Sequence, residues 1–151
     1  MPNNRYIIVF ATFLAAVFLT AGTVVASSGD ADSKSYGEYI VVPAKSTSID
    51  FGILSVSSNI VQGQTNWHYK YVTSYSTYFN VDLNWDSSAN SLQLTLYTPS
   101  HAPVGPLYDD IDGQIDGRIN VNIVNYNGIE QGTWSCAVYG YSVSGIETYN
   151  I

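Results

Sequence analysis

The sequence predicts an all-β protein, a jelly-roll-like antiparallel β-sandwich of about eight strands. Short runs of residues alternate between apolar and polar, and turn-forming pairs such as Asp-Gly and Asn-Gly separate them. Charged residues make up only 11% of the chain, and tyrosine occurs 13 times. Aromatic and β-branched residues suit a pleated, half-buried surface. Strict alternation over four to eight residues indicates a half-buried strand, and many short strands with regular turns are typical of sandwiches and jelly rolls.

The N-terminal segment differs from the rest because it is almost entirely apolar. Arg5 precedes the apolar run 6–26, which ends in small residues. A positive start, an apolar run and a small-residue end are typical of a secretory signal, but about 20 apolar residues can also span a bilayer as a helix. We therefore expect residues 1–26 to be a helical signal peptide or an uncleaved membrane anchor. Residues 27–35, small and polar, are predicted to form a flexible leader.

The sandwich is expected over residues 36–151. Alternation is clearest in 78–85, where Phe79, Val81, Leu83 and Trp85 share one side of the strand and are predicted to face the core. Two further strands are predicted to bury Leu92, Leu94 and Leu96, and Ile119, Val121 and Ile123. The other strand-like runs are 36–42, 49–56, 66–73, 133–143 and 147–151. Pro103 to Pro106 is predicted to be a turn, because proline and glycine interrupt regular structure.

Charge and cysteine content restrict the possible functions. The net charge is -7 and the sequence has no basic stripe, so a nucleic acid is not expected as a partner. Cys136 is the single cysteine and cannot form an internal disulfide. It lies on the same strand side as Trp134 and Val138, which predicts a buried thiol in the core.

Three strings in the second part of the chain occur in a familiar order. They are GQTNWHYKYV (63–72), FNVDLNWDSSANSLQLTLYTP (79–99) and GTWSCAVYGYSVSGIETYNI (132–151). This order resembles the pre-peptidase C-terminal (PPC) domain of secreted bacterial and archaeal proteases and other surface proteins. The matching positions are Gly63, Gln64, Trp67, Leu92, Leu94, Leu96, Tyr97, Pro99, Gly132, Thr133, Trp134, Val138 and Gly140.

The resemblance covers residues 60–151 and implies a jelly-roll-like module that performs no catalysis itself. Relatives of this kind act as secretion-associated, substrate-binding or processing-associated modules, and some bind calcium. No protease sequence precedes the module in these 151 residues, so we expect a stand-alone secreted or cell-surface protein.

An acidic segment at 108–119 is the candidate metal site. Calcium takes six to eight oxygen ligands from carboxylates and loop carbonyls. Acidic and amide side chains supply such oxygens here: Asp109, Asp110, Asp112, Gln114 and Asp116. The last four have the 1, 3, 5, 7 spacing of a calcium loop, but position twelve is Val121 instead of glutamate, which excludes an EF-hand. The alternative is two tight Asp-Gly turns without a metal.

Tyrosines are the second candidate feature, since many lie on or near predicted strands: Tyr69, Tyr71, Tyr75, Tyr78, Tyr139 and Tyr141. They can stack on sugar rings or form a protein interface, or half-cover the core with the hydroxyl in water. The sequence has no nucleophile–base signature, so we do not expect an enzyme. The expected function is a secreted or cell-surface binding or accessory module, stabilised by calcium, whose partner is an extracellular protein or polysaccharide. The alternative is a structural envelope or filament subunit that self-assembles.

Overall fold

The computed structural model describes residues 33–44 and 56–151, and strands make up most of these residues. In chain order they are β1 (Lys34–Tyr36), β2 (Tyr39–Pro43), β3 (Ser57–Val61), β4 (Thr65–Val72), β5 (Tyr78–Trp85), β6 (Ser91–Tyr97), β7 (Pro103–Leu107), β8 (Arg118–Val124), β9 (Gly132–Ser142) and β10 (Ile146–Asn150). A 3-10 turn, Asp109–Asp112, lies between β7 and β8. The predicted all-β class is therefore confirmed.

The strands form two antiparallel sheets. The six-stranded sheet has the order β1-β2-β8-β5-β10-β3, and the four-stranded sheet has the order β4-β9-β6-β7. From β3 to β10 the chain passes from one sheet to the other at every connection except that between β6 and β7. Among the described residues, the edge strands are β4 and β7 in one sheet, and β1 and β3 in the other.

The core lies between the sheets and follows the predicted alternation. Phe79, Val81, Leu83 and Trp85 are all buried, as are the inward residues of β6 and β8. Trp134 of β9 is fully buried and joins the two sheets through edge-to-face ring contacts. Its ring centroid lies 5.2 Å from that of Tyr39 and 4.9 Å from that of Phe79.

Cys136 is buried beside this core, as predicted. Burial raises the pKa of its thiol to about 11. Since the thiolate is the reactive form of cysteine, Cys136 is an inert core residue at neutral pH.

The first predicted strand of the sandwich is a hairpin. Residues 36–42 divide into parts of β1 and β2 around Gly37, whose φ of 61° suits glycine. Lys34 and Ser35, at the end of the predicted leader, pair with β2. The hairpin accounts for two strands beyond the eight from β3 to β10.

Several predicted segments lie outside the described residues. These are the apolar helix at 6–26, the leader up to residue 32, and the strand at 49–56 apart from Val56. In the described ranges, no helix has the length and apolar character needed to cross a membrane.

The prediction of a turn at Pro103 to Pro106 is wrong, because these residues belong to β7. This strand lies at the edge of its sheet, where proline is tolerated because only one side of the strand forms hydrogen bonds. Val104 and Leu107 are fully buried and hold β7 against the core. The register shift between Leu94 and Leu96 of β6 accommodates the irregular backbone.

Candidate functional site

Exposed aromatic rings cover the outer side of the four-stranded sheet. Alternate residues of a strand point to opposite sides, so Trp67, Tyr69 and Tyr71 of β4 share the solvent side, with 50%, 69% and 70% of their surface exposed. We call this surface the aromatic face. It comprises eleven outward residues that lie side by side on three neighbouring strands: Thr65, Trp67, Tyr69 and Tyr71 of β4, Thr133, Ser135, Ala137 and Tyr139 of β9, and Gln93, Thr95 and Tyr97 of β6.

Small residues in the central strand determine the shape of the aromatic face. Ala137 lies between Trp67 and Thr95, and Ser135 lies between Tyr69 and Tyr97 in the register. Because β9 carries only small side chains here, the rings of Trp67 and Tyr97 meet above it, with centroids 5.7 Å apart and planes inclined by 39°. Beside them is an open depression of about 320 Å³ that extends from Trp67 to Gln93 and Tyr139.

Polar groups accompany the rings in this depression. The Gln93 amide donates to the Thr95 hydroxyl at 3.4 Å and accepts from the Tyr108 hydroxyl at 3.1 Å. Every other side chain of the aromatic face is a hydroxyl residue, an aromatic ring or alanine. The face therefore has no charged group, although the protein carries a net charge of -7.

The inner side of β4 attaches this edge strand to the six-stranded sheet. Asn66 donates to the Tyr149 hydroxyl at 3.0 Å, and Nε2 of His68 lies 2.7 Å from the same oxygen. Burial lowers the pKa of His68. Lys70 lies 5.4 Å from the centre of the Phe79 ring, and burial lowers its pKa as well. These contacts hold β4 in place, so the exposed rings project from a fixed backbone.

The acidic segment is organised around the carboxylate of Asp109, which is buried. Its Oδ1 accepts backbone N–H bonds from Asp116, Gly117 and Arg118 at 3.3, 3.2 and 3.0 Å. Its Oδ2 accepts from Gly117 at 3.1 Å. Asp109 therefore closes the loop between the 3-10 turn and β8, and both of its oxygens already have partners.

The other predicted calcium ligands are more open. Asp112 is partly exposed and its carboxylate accepts the backbone N–H of Gln114 at 3.0 Å, a local turn, while Asp110 and Asp116 are exposed. In residues 33–44 and 56–151, no three His, Cys, Asp or Glu side chains are grouped closely enough to hold a metal ion. Asp110, Asp112 and Asp116 would therefore have to move closer together before all three could bind a calcium ion. Calcium binding by this loop stays a prediction.

Comparison with known proteins supports a family relationship without a known activity. No protein-family model matches the chain. An uncharacterized protein of Archaeoglobus fulgidus is 44% identical to it over 50 residues, which is 33% of this chain and 70% of the relative. The chain belongs to the family of this archaeal protein. The relative is described only as uncharacterized, so this relationship identifies no ligand.

Sequence reasoning identified part of the aromatic face. Of the six tyrosines predicted as a candidate surface, Tyr69, Tyr71 and Tyr139 lie on it. Tyr78 projects from the six-stranded sheet, Tyr75 lies in the loop between β4 and β5, and Tyr141 at the end of β9 contacts the ring of Tyr108. The sequence analysis assigns no binding role to Trp67, although the alternation in 66–73 places Trp67 on the same side of the strand as Tyr69 and Tyr71. Tyr97 was missed as a partner of Trp67 because no local pattern shows that two strands flank a third.

We expect Asp109→Ala to lower the free energy of unfolding by about 1–3 kcal/mol, because the buried N–H of Gly117 loses its acceptors. Urea unfolding monitored by circular dichroism in the presence of a chelator measures this loss. Asp110→Ala removes an exposed carboxylate of the same loop and should change the stability by less than about 0.5 kcal/mol. A loss for Asp109→Ala that occurs only in added calcium would contradict a purely backbone role and support a metal site.

Proposed function

We propose that this protein is a non-catalytic binding module that acts outside the cytoplasm and holds its ligand on the aromatic face. The observation that carries the proposal is the exposure of Trp67, Tyr69 and Tyr71 side by side on one strand. Large contiguous aromatic surfaces on a folded protein mark interaction sites, whereas scattered exposed rings are ordinary. The extracellular location rests on the apolar segment 6–26 and its resemblance to a secretory signal.

The chemistry of the face supports binding without catalysis. Its hydroxyl, amide and aromatic groups can form hydrogen bonds and stacking contacts, but the face includes no His, Asp, Glu, Lys or Cys, which are common general acids and bases. His68 is on the opposite side of β4, where its ring contacts Tyr149. Cys136 is buried and its raised pKa keeps the thiol protonated.

We include jelly-roll topology and a relationship to PPC-like surface modules in the proposal. The strand orders β3-β10-β5-β8 and β4-β9-β6-β7 support it, because eight strands that alternate between two sheets in this way form paired Greek keys. The positions that resemble the PPC pattern support a structural role for that pattern: Trp134 is buried in the core, and Gly140 lies against the backbone of β3. Calcium binding by the acidic loop remains a further part of the proposal.

A self-assembling structural subunit is the second candidate. The observation in its favour is β4, an edge strand of eight residues that ends one side of the four-stranded sheet. The outer backbone groups of an edge strand can pair with another chain. Two copies joined edge to edge through β4 would extend the aromatic face across the junction.

Analytical ultracentrifugation separates these two functions. We expect the full chain, expressed from residue 1 and purified as the host processes it, to sediment as a monomer of at most 16.5 kDa over a wide concentration range. Larger species that grow with protein concentration would contradict the binding module and favour the structural subunit. Tyr71→Lys at the end of β4 serves as a control. Lysines on an edge strand oppose pairing with another chain, so this variant should dissociate such oligomers.

A further inference from the structure

We propose that the ligand of the aromatic face is a neutral polysaccharide, with its sugar rings stacked on Trp67 and Tyr97 and on the neighbouring Tyr69 and Tyr71. This inference rests on the proposed function as a binding module. It adds the chemical class of the ligand and the residues that contact it.

The rings supply the stacking contacts. The face of an aromatic ring is electron-rich and its edge electron-poor, and a pyranose ring presents a flat array of electron-poor C–H groups. Trp67, Tyr69 and Tyr71 are successive outward residues of β4, so their Cα atoms follow one another at about 6.8 Å. The row is therefore about 14 Å long, which suits an extended polymer better than a single small molecule.

The polar groups supply the hydrogen bonds. Sugar hydroxyls both donate and accept, and so do the hydroxyls of Thr65, Thr95 and Tyr139 beside the depression. A lipid surface would cover these groups without offering partners, which costs free energy for each polar group left unpaired. The combination of aromatic rings with hydroxyls and the Gln93 amide therefore favours a carbohydrate over a membrane.

The aromatic face has no charged side chains, which favours a neutral polymer over a charged one. Protein ligands are commonly recognised with arginine in the interface and complementary charges at its rim, and an anionic polymer needs basic groups. The eleven residues of the aromatic face include no Asp, Glu, Lys, Arg or His. The nearest charged side chain on β4 is that of Lys70, which lies on the inner side against Phe79.

Affinity electrophoresis of the full chain tests the inference. Native gels contain one dissolved polymer each: β-glucan, arabinoxylan, galactomannan or amylose as neutral chains, and alginate as an anionic one. We expect at least one neutral polymer to retard the protein and alginate to have no effect. Acrylamide quenching of fluorescence provides a direct signal, because Trp67 is half exposed whereas Trp85 and Trp134 are buried. The bound polymer should reduce the quenching.

Variants test whether the aromatic face causes the retardation in the gel. Trp67→Ala and Tyr97→Ala should each weaken binding at least tenfold, and Trp67→Phe should restore part of it. Tyr126→Ala and Tyr78→Ala are matched controls, because both rings are exposed, at 78% and 59%, but lie off the aromatic face. These two variants should bind as the wild type does.

Three results would overturn the inference: no retardation by any of the four neutral polymers, retardation by alginate alone, or equal losses in the control variants. A shift of Trp67 fluorescence with phosphatidylcholine vesicles, without retardation by the polymers, would reassign the face to lipid. None of these outcomes affects the monomeric state. A monomer that binds no polymer would therefore contradict the polysaccharide as ligand but not the proposed function as a binding module. Concentration-dependent oligomers in the ultracentrifuge would instead contradict the proposed function itself.

Discussion

Replacing Trp134 with alanine is expected to lower the free energy of unfolding by about 3–5 kcal/mol. Its side chain is fully buried and contacts the rings of Tyr39 and Phe79, so truncation leaves a large cavity where the two sheets meet. The indole N–H also donates to the carbonyl of Glu130 at 2.9 Å, and that acceptor loses its partner. Domains of this size have about 5–15 kcal/mol of stability in total, so the loss is a large fraction of it.

Trp67→Ala is the matched control for Trp134→Ala. It removes the same side chain from a half-exposed position on the aromatic face, and we expect a loss of less than about 1 kcal/mol. Chemical unfolding of both variants measures the difference, and Trp134→Phe, which keeps a ring in the core, provides an intermediate value if the alanine variant does not fold. Equal losses at positions 134 and 67 would contradict the assignment of one ring to the core and the other to the surface.

Gly140→Ala is expected to lower the free energy of unfolding by about 1–3 kcal/mol through overpacking. A Cβ atom at this position would overlap the carbonyl oxygen of Val61 and lie 3.0 Å from its carbonyl carbon. The backbone of Val61 cannot retreat easily, because its oxygen accepts from the N–H of Gln64, whose carbonyl accepts from Gly140. The glycine is therefore required by a close approach of two strands.

The melting temperature monitored by circular dichroism measures the effect of Gly140→Ala. Gly140→Val should lower it further, because a larger side chain meets the same backbone. Ser142→Ala changes an exposed residue of the same strand and should leave the stability within about 0.5 kcal/mol of the wild type. Unchanged melting of both glycine variants would show that β3 can move away from β9.

The aspartate loop illustrates a limit of sequence reasoning. A group of carboxylates with calcium-like spacing is compatible both with a bound cation and with turns. In the first case the carboxylate oxygens bind the cation, and in the second they accept hydrogen bonds from backbone N–H groups. The fold brings the N–H groups of Asp116, Gly117 and Arg118 around the Asp109 carboxylate. Which donors surround a carboxylate depends on the path of the backbone, and residue spacing alone does not contain that path.

The aromatic face was predictable along one strand and unpredictable across strands. Trp67, Tyr69 and Tyr71 share a side because the direction of side chains alternates with a period of two. The contact between Trp67 and Tyr97 requires β9 to lie between β4 and β6 with alanine at position 137. These residues are distant in the chain, so only the pairing of the strands brings them together.

By itself, the sequence determined the all-β class and the buried side of the strands that contain Phe79, Leu94 and Val121. This information is local, since alternation and turn residues act over a few positions. Only the tertiary structure decided that the prolines of β7 lie in an edge strand, that Asp109 caps its own loop, and that the small residues of β9 let the rings of Trp67 and Tyr97 meet. The physical reason is that strand order joins distant segments through backbone hydrogen bonds and a shared core, neither of which leaves a short-range pattern in the chain.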